Sequence, residues 1–389
     1  MSSSRRILLI DFANYEDFPI GGYLTFARNM MSSFGSDLAL AGITTSRKDP
    51  IGRWFKKNID GIEYDFFAMI RYRSKKTKKL IPDRLVNYLL VKYYKQRILR
   101  IGIPNIFIQR QESLLAIHKS GRNVCYSFAG MDNPLVNSKY RYGSLLATWF
   151  EGRFFKKIGV ARCILGRGDN EAIRDMLSRS KDALNGHAVV KFPTRIDTSI
   201  FKPENMIDAR SKLGLPEDTI IVSTTGRLAW WKGWQFMIDS FVRFSKDYGK
   251  ALFIMVGEGE DYNKIREYIT NNKLTEKILL TGRRDMKQIA LYLNASDLYI
   301  MGSYKEGWPT ALMEAVACGV PVCATEFSSV DEIIIEGVNG YISRNRSEEQ
   351  FSDAMAKAVK LKRPVRNDHV TRYSTSNLKE DILQHWELI

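Results

Sequence analysis

Two glutamates near the start of a predicted helix have the type and spacing of a site for a polyol phosphate. Glu306 stands in a loop three residues before Pro309, and Glu314 lies within the helix that Pro309 is expected to begin. Proline suits the first helical position because its missing N–H would be unpaired there in any case. Gly319 is expected to end this helix, and Pro321 prevents it from continuing.

The helix start itself predicts an anion site. No Ser, Thr, Asp or Asn stands at Trp308 to cap it, so the amides of Thr310 and Ala311 are available to an anion. With a diphosphate there, Glu306 and Glu314 each reach a polyol, because one carboxylate can accept hydrogen bonds from two adjacent hydroxyls. A sugar joined through a diphosphate to a ribose fits this pattern. The alternative is a surface helix with two solvated glutamates.

Short apolar runs followed by polar loops and helical patterns recur along the whole chain. Such a repeat predicts parallel sheets covered by helices on both faces, with ligands at the carboxyl ends of the strands. The predicted strands are 7–10, 105–109, 124–128, 162–165, 219–225, 252–256, 278–281 and 297–301.

Glycine-containing loops follow several of these strands. Gly21 and Gly22 precede a predicted helix at 23–34, where paired glycines let the backbone approach a phosphate, although a plain tight turn is the commoner reason for such a pair. The loops 130–133 and 166–169 also stand at helix entrances; the second reads Gly-Arg-Gly-Asp.

The length of 389 residues favours two domains. The segment 192–206 has two prolines and little periodicity, so it is predicted to be the hinge. We expect domains at 1–200 and 201–367, followed by a terminal segment at 368–389. The four cysteines show neither a CxxC pair nor a zinc spacing, and the first residues do not resemble a secretion signal, which favours reduced thiols in a cytoplasmic protein.

The positive charge is concentrated in the first half. Residues 1–200 hold 34 Lys and Arg against 17 Asp and Glu, whereas the remainder holds 25 against 26. The segment 84–100 mixes apolar and basic residues, which favours a helix lying on an anionic membrane surface. The alternatives are a solvated charged face or nucleic-acid binding, but no nucleic-acid recognition motif accompanies the charge. Six basic residues are expected on the membrane or acceptor side: Arg71, Arg73, Lys75, Lys76, Lys78 and Lys79.

Several motifs together resemble family 4 retaining glycosyltransferases of the GT-B fold. They are GR with KG at 226–233, VGEGED at 256–261, TGRRD at 281–285, EGWPTALMEAVACGVPV at 306–322, and IDTSIFKP at 196–203. The resemblance covers most of the chain and is most specific in the second half. It implies two Rossmann-like domains facing across a cleft, with the nucleotide sugar mainly on the second domain and the acceptor approaching from the first. It also implies that the terminal segment crosses back to the first domain.

The resemblance implies a hexosyltransferase and gives each motif residue a role in it. Arg227 and Lys232 would hold the diphosphate and stabilise the charge that grows on it, so neither a metal nor a cofactor is expected. Glu306 would contact the transferred sugar, and Glu314 the ribose. The remaining expected donor-binding residues are Gly21, Gly22, Gly226, Arg283, Gly307, Trp308, Pro309, Thr310 and Ala311.

The chain departs from the family at Ala129, where relatives commonly have a histidine that touches the donor sugar. The expected function is transfer of a sugar, with UDP favoured, to a lipid-linked or polysaccharide acceptor in cell-surface glycan biosynthesis. We expect the transfer to occur at the cytoplasmic face of the membrane, and we expect no nucleic-acid partner. The alternatives are a catalytically silent subunit that supports an active partner, and an epimerase or sugar-phosphate synthase of the same fold.

Overall fold

A computed structural model describes residues 6–19, 22–72, 81–128, 141–168, 170–180, 183–184, 189–366 and 368–388. The chain divides into two compact units. The first unit comprises residues 1–194 and 377–389, and the second comprises residues 195–376. Each is a mainly parallel sheet with helices, which confirms the predicted class of two Rossmann-like α/β domains.

The first unit contains an eight-stranded sheet in the order β3-β4-β2-β1-β5-β6-β7-β8. All neighbouring pairs are parallel except β3 with β4. Its first strand is buried on both faces, as expected for an apolar run between two helical layers. The strands are β1 (Ile7–Ile10), β2 (Leu38–Thr44), β3 (Trp54–Ile59), β4 (Ile62–Arg71), β5 (Asn105–Ile108), β6 (Asn123–Phe128), β7 (Ala161–Gly166) and β8 (Val189–Lys191).

Six helices of the first unit are described. They are α1 (Gly22–Phe34), α2 (Asp83–Leu99), α3 (Gln111–Ile117), α4 (Arg141–Phe155), α5 (Asn170–Ser180) and, from the end of the chain, α14 (Leu378–His385). The terminal segment enters the core of this unit, where Trp386 packs edge-on against Phe107 and donates a hydrogen bond to Asn123 Oδ1 at 3.0 Å.

The second unit contains a six-stranded parallel sheet in the order β11-β10-β9-β12-β13-β14. The direction of winding reverses between β9 and β12, which makes that point the expected ligand crevice of such a sheet. The strands are β9 (Ile220–Thr225), β10 (Ala251–Val256), β11 (Ile278–Gly282), β12 (Leu298–Met301), β13 (Val322–Thr325) and β14 (Gly340–Ser343). The helices are α6 (Met206–Leu213), α7 (Trp234–Phe244), α8 (Tyr262–Asn271), α9 (Met286–Ala295), α10 (Thr310–Ala317), α11 (Val330–Ile333), α12 (Glu348–Ala358) and α13 (Asp368–Arg372).

The ends of the second unit differ from the expected boundaries at 200 and 367. Its first and last residues are held together by backbone hydrogen bonds: Ile196 N–H donates to the Tyr373 carbonyl at 2.9 Å, and Thr375 N–H donates to the Ile196 carbonyl at 2.8 Å. Residues 195–200 and 368–376 therefore belong to this unit. The pairing could not be read from the sequence because it joins segments far apart along the chain.

Candidate active site

Two loops meet at the switch point of the second sheet. Residues 226–233 follow β9 and residues 302–309 follow β12, so both leave the carboxyl ends of adjacent strands. The Tyr304 N–H donates a hydrogen bond to the Trp231 carbonyl at 2.8 Å, which ties one loop to the other. The loops also line a common small pocket that includes Arg227, Lys232 and Ser303.

Glycine makes this close approach possible. Gly233 has φ +68°, and a Cβ placed on it would lie 1.9 Å from the Gly302 carbonyl oxygen. Gly226, a predicted donor-binding residue, has φ +126°, which L-residues rarely adopt. The turn between β9 and α7 therefore requires glycine at both positions.

Lys232 and Glu306 form the centre of the site. The Lys232 Nζ lies 2.6 Å from Glu306 Oε1, and the same oxygen accepts a hydrogen bond from Ser303 Oγ at 2.6 Å. Both charged side chains are mostly buried, with exposed fractions of 30% and 13%. The cation predicted to hold phosphate thus lies beside the carboxylate predicted to contact a sugar.

Arg227 lies in the same loop but is more open to solvent. Its Nε donates to Glu260 Oε2 at 2.8 Å, and its guanidinium lies 5.4 Å from the centre of the Trp231 ring. Arg227 is 65% exposed and Glu260 is 41% exposed. Such an exposed pair contributes only about 0–1 kcal/mol, so an incoming phosphate can compete with Glu260 for the guanidinium.

The helix α10 begins one residue later than predicted. Pro309 is its N-cap residue, with φ −78° and ψ 91°, rather than its first helical residue. Pro309 adopts extended backbone and its carbonyl accepts the first helical hydrogen bonds, from Leu312 and Met313. No side chain caps the helix, so the N–H groups of Thr310 and Ala311 lie in its uncapped first turn. The partial positive charge of the helix start favours an anion there.

Glu314 lies in α10, one turn beyond these amides. Residue Glu314 is half-buried, and its carboxylate accepts no hydrogen bond from the residues that the structure describes. Desolvation raises the pKa of the Glu314 carboxyl to about 8. A ligand whose hydroxyl groups donate hydrogen bonds to this desolvated carboxyl would stabilise its charged form.

Three other predicted donor-binding residues of this unit lie outside the Lys232–Glu306 pair at the centre of the site. Gly307 is half-buried in the loop before α10. The Trp308 side chain packs against Tyr373 in the core, with ring centres 5.5 Å apart. Arg283 is exposed after β11, which is two strands from β9, or about 10 Å across the sheet.

The first unit contributes fewer described members of the predicted set. Gly22 is the first residue of α1. The Arg71 guanidinium donates hydrogen bonds to the carbonyls of Ser46, Arg47 and Asp49, so it holds a loop of its own unit. Seven residues lie outside the described ranges: Gly21, Arg73, Lys75, Lys76, Lys78, Lys79 and Ala129.

Two positioning residues, Thr325 and Arg346, were not predicted from the sequence. The Ser303 carbonyl accepts hydrogen bonds from Thr325 Oγ1 at 2.8 Å and from Arg346 Nη1 at 3.4 Å. Arg346 also donates to the Gly302 carbonyl and stacks on Tyr304 at 3.5 Å from its ring centre. These contacts fix the loop that presents Glu306. Only their positions at the ends of β13 and β14 indicate such a role.

The described ranges contain neither a metal-binding cluster nor a membrane-spanning helix. No group of three or more His, Cys, Asp or Glu side chains is arranged to hold a metal ion within those ranges. Among the same residues, no helix combines the length and the apolar character needed to cross a membrane.

Glycosyltransferases are among the known proteins that resemble this chain in sequence. An uncharacterized glycosyltransferase of Methanocaldococcus jannaschii is 31% identical over 163 residues, which are 41% of this chain and 40% of that protein. The alpha-monoglucosyldiacylglycerol synthase of Streptococcus pneumoniae is 26% identical over 205 residues, 51% of this chain and 45% of that protein. The chain thus spans less than half the length of these relatives.

A solved structure matches the chain over its full length. The Anabaena protein HepE, in complex with UDP and glucose, superposes with a TM-score of 0.67 over 99% of this chain and 100% of that one, at 16% identity. A likeness at this identity establishes the two-domain GT-B fold.

The strongest family evidence falls on the second unit. Residues 205–374 match the family described as Glycosyl transferases group 1, and this span contains the loops 226–233 and 302–309 and the helix α10. This match makes the second unit similar to the glycosyltransferase group 1 domain over most of its length.

Proposed function

We propose that the chain is a family 4, retaining, metal-independent glycosyltransferase. Its donor is a nucleotide diphosphate sugar, with UDP favoured, and its acceptor is a lipid-linked or polysaccharide glycan of the cell surface. The observation that carries the proposal is the 2.6 Å contact between Lys232 and Glu306 beside the uncapped start of α10.

Each charged group has a role in this reaction. Breaking the bond to the sugar leaves negative charge on the β-phosphate, which Lys232, Arg227 and the amides of α10 stabilise as it grows. In the free protein Glu306 neutralises Lys232. When the donor binds, the ammonium also faces phosphate, while Glu306 accepts hydrogen bonds from sugar hydroxyls. Glu314 accepts them from the two ribose hydroxyls.

The compared proteins support the choice of donor and acceptor class. The HepE structure contains UDP and glucose, and the pneumococcal relative is named as the synthase of a glucosylated diacylglycerol. A UDP-sugar donor and a lipid-linked acceptor are the substrates of this chain in the proposal.

The helix α2 supports a peripheral location on the cytoplasmic face of the membrane. Its outer face carries Leu85, Leu89 and Tyr93 at four-residue spacing, with exposed fractions of 44%, 51% and 72%. Exposed Lys92 and Arg97 lie on the same helix. Apolar residues flanked by basic ones suit the boundary between anionic headgroups and acyl chains.

Liposome flotation tests this location. We expect the full chain to bind vesicles of phosphatidylglycerol and phosphatidylcholine at low salt, and to release them as salt increases. The triple variant Leu85→Ser, Leu89→Ser, Tyr93→Ser should bind at least tenfold more weakly. If the wild-type protein does not bind these vesicles at low salt, the proposed membrane location is wrong.

A donor panel tests the reaction without knowledge of the acceptor. Purified protein is incubated with UDP-, GDP- and ADP-sugars, and binding and slow hydrolysis are measured. We expect one UDP-sugar to bind and to release UDP slowly without added metal. Binding without any release, with or without membrane extract as acceptor, would favour the silent-subunit alternative. No binding at all would contradict the proposed function.

A further inference from the structure

The first unit has a switch point of its own, between β1 and β5. Asp11 follows β1, and Gln109 and Arg110 follow β5. Tyr23, in the first turn of α1, lies against this group because its carbonyl accepts a hydrogen bond from Gln109 Nε2 at 3.2 Å. Crevices of this kind bind ligands in open α/β sheets, and the proposed donor site makes no use of this one.

Arg167 is the unusual member of this region. It follows β7, is only 4% exposed, and stacks on Phe26 at 4.4 Å and on Tyr23 at 5.4 Å from the ring centres. Its Nε and Nη2 are buried and donate no hydrogen bond to any described residue. Burial lowers the pKa of the guanidinium to about 10, and the group remains charged at pH 7. A buried, unpaired charge is costly unless an anion joins it.

Arg110 lies against the same tyrosine, with its guanidinium 4.9 Å from the Tyr23 ring centre. Its Nε donates to the fully buried Asp11 carboxylate, and no described residue accepts from its two terminal nitrogens. Asp11 faces both guanidinium groups that share this ring. Glu112 also acts on Arg110, but it pairs with Arg84 at 3.6 Å. Three guanidinium groups thus face two carboxylates, which leaves one positive charge in excess.

Gln109 adds an acceptor to these donors. Its amide nitrogen donates hydrogen bonds to Asp11 Oδ2 at 3.3 Å and to the Tyr23 carbonyl. Its buried Oε1 accepts no hydrogen bond from the described chain. The region thus has N–H donors for an anion and one free acceptor for a hydroxyl group. An acid-bearing sugar or polyol presents both.

We propose that Arg167 and Arg110 bind an acidic group of the acceptor, a carboxylate or a phosphate, while a neighbouring hydroxyl donates to Gln109 Oε1. The inference rests on the proposed function and narrows the acceptor to an anionic glycan or glycolipid headgroup. The aromatic ring of Tyr23 fixes the two guanidinium groups, so the site is formed before the ligand arrives.

Calorimetric titration of the full chain tests the site, with inorganic phosphate and D-glucuronate as separate probes. Saturating UDP blocks the donor site, and ionic strength is held constant. We expect one probe to bind. Arg167→Met should weaken this binding at least tenfold, because the neutral side chain keeps the stacking but not the charge. Arg167→Lys should fall between the two. The exposed Arg162, in the strand that Arg167 follows, provides the matched control, and Arg162→Met should bind within twofold of wild type.

The outcomes separate this site from the donor site. If neither probe binds the wild type, or if Arg167→Met binds as tightly as wild type, the inference is wrong. The same samples report UDP binding, whose absence would contradict the proposed function. In that case the titration is repeated without UDP in Lys232→Met, where a remaining Arg167-dependent signal would still support the anion site.

Discussion

At the scale of single residues, the account depends on Lys232. Its ammonium is largely buried and pairs with Glu306, so it can face a phosphate with little screening by water. We expect Lys232→Met to lower kcat by about 10² to 10³-fold, the usual effect of removing one group that stabilises developing negative charge. The variant should fold, because Ser303 still donates to Glu306.

The neighbouring lysine is the control for this prediction. Lys305 is exposed and precedes Glu306 directly. Lys305→Met removes the same charge from the same loop and should change kcat less than threefold. Equal losses in the two variants would show that net charge, rather than the position of Lys232, accounts for the effect.

The titration of the Glu314 carboxyl should make the affinity for the donor depend on pH. Its pKa of about 8 in the free protein falls when ribose hydroxyls donate to the carboxylate, because they stabilise the charged form. Binding below pH 8 therefore releases a proton. The affinity for UDP should rise about eightfold from pH 7.0 to pH 8.5 and then level off. Titration calorimetry at both values measures this.

The isosteric amide isolates the contribution of this carboxyl. Glu314→Gln cannot titrate, so its affinity for UDP should change less than twofold over the same pH interval. A variant that keeps the full wild-type slope would assign the pH dependence to another group, and Glu314 would lose its proposed role at the ribose.

At the scale of elements, the turn between β9 and α7 sets the geometry of the site. Gly233→Ala places a methyl group 1.9 Å from the Gly302 carbonyl oxygen and requires a left-handed backbone at an L-residue. The backbone conformation alone costs about 1–2 kcal/mol. We expect a lower melting temperature and at least tenfold weaker UDP binding, because the loops must separate.

Gly249→Ala is the matched comparison. A Cβ at Gly249 meets no atom within 4 Å, and its φ lies outside the left-handed range. This variant should retain the melting temperature within about 2 °C and the full UDP affinity. If both glycine variants behave alike, the contact between residues 233 and 302 does not position the site.

The sequence predicted eight of the parallel strands and missed six strands: β2, β3, β4, β8, β13 and β14. β1 is a short apolar run buried on both faces, and β9 begins with three apolar residues and is buried over its four central residues. A pattern of this kind is visible from the local sequence alone. The antiparallel pair β3 and β4 was not predicted. β3 combines Trp54 and Phe55 with two lysines, so its local pattern lacks the continuous apolar character that identified the other strands. Its pairing with β4 determines its structure.

At the scale of the whole molecule, the end of the chain completes the first unit. Trp386 is 3% exposed in the core that also holds Phe107 and Phe192. Trp386→Ala should lower the unfolding free energy of the first unit by about 3–5 kcal/mol, the usual cost of removing a buried large aromatic side chain. Calorimetry should show one transition displaced to lower temperature.

An exposed tryptophan provides the comparison. Trp230 is 65% exposed in the second unit. Trp230→Ala should leave both unfolding transitions within about 2 °C of wild type. A Trp386→Ala protein with unchanged transitions would contradict the assignment of the terminal segment to the core of the first unit.

The sequence predicted the charged residues of the site but not what holds them. Glu306 and Lys232 were found because they stand in recognisable motifs. Thr325 ends β13 and Arg346 follows β14, and both contact Ser303 only through the folded sheet. The Arg167 cluster likewise joins three strand ends that are separated by long stretches of sequence. Contacts of this type depend on strand order, which local patterns do not contain.

The most direct test of the central claim is a crystal structure of the chain with UDP. We expect the β-phosphate to lie within hydrogen-bonding distance of Lys232 Nζ and of the amides of Thr310 and Ala311, with the ribose hydroxyls on the Glu314 carboxylate. A diphosphate bound away from the start of α10, or a ribose that does not contact Glu314, would contradict the account.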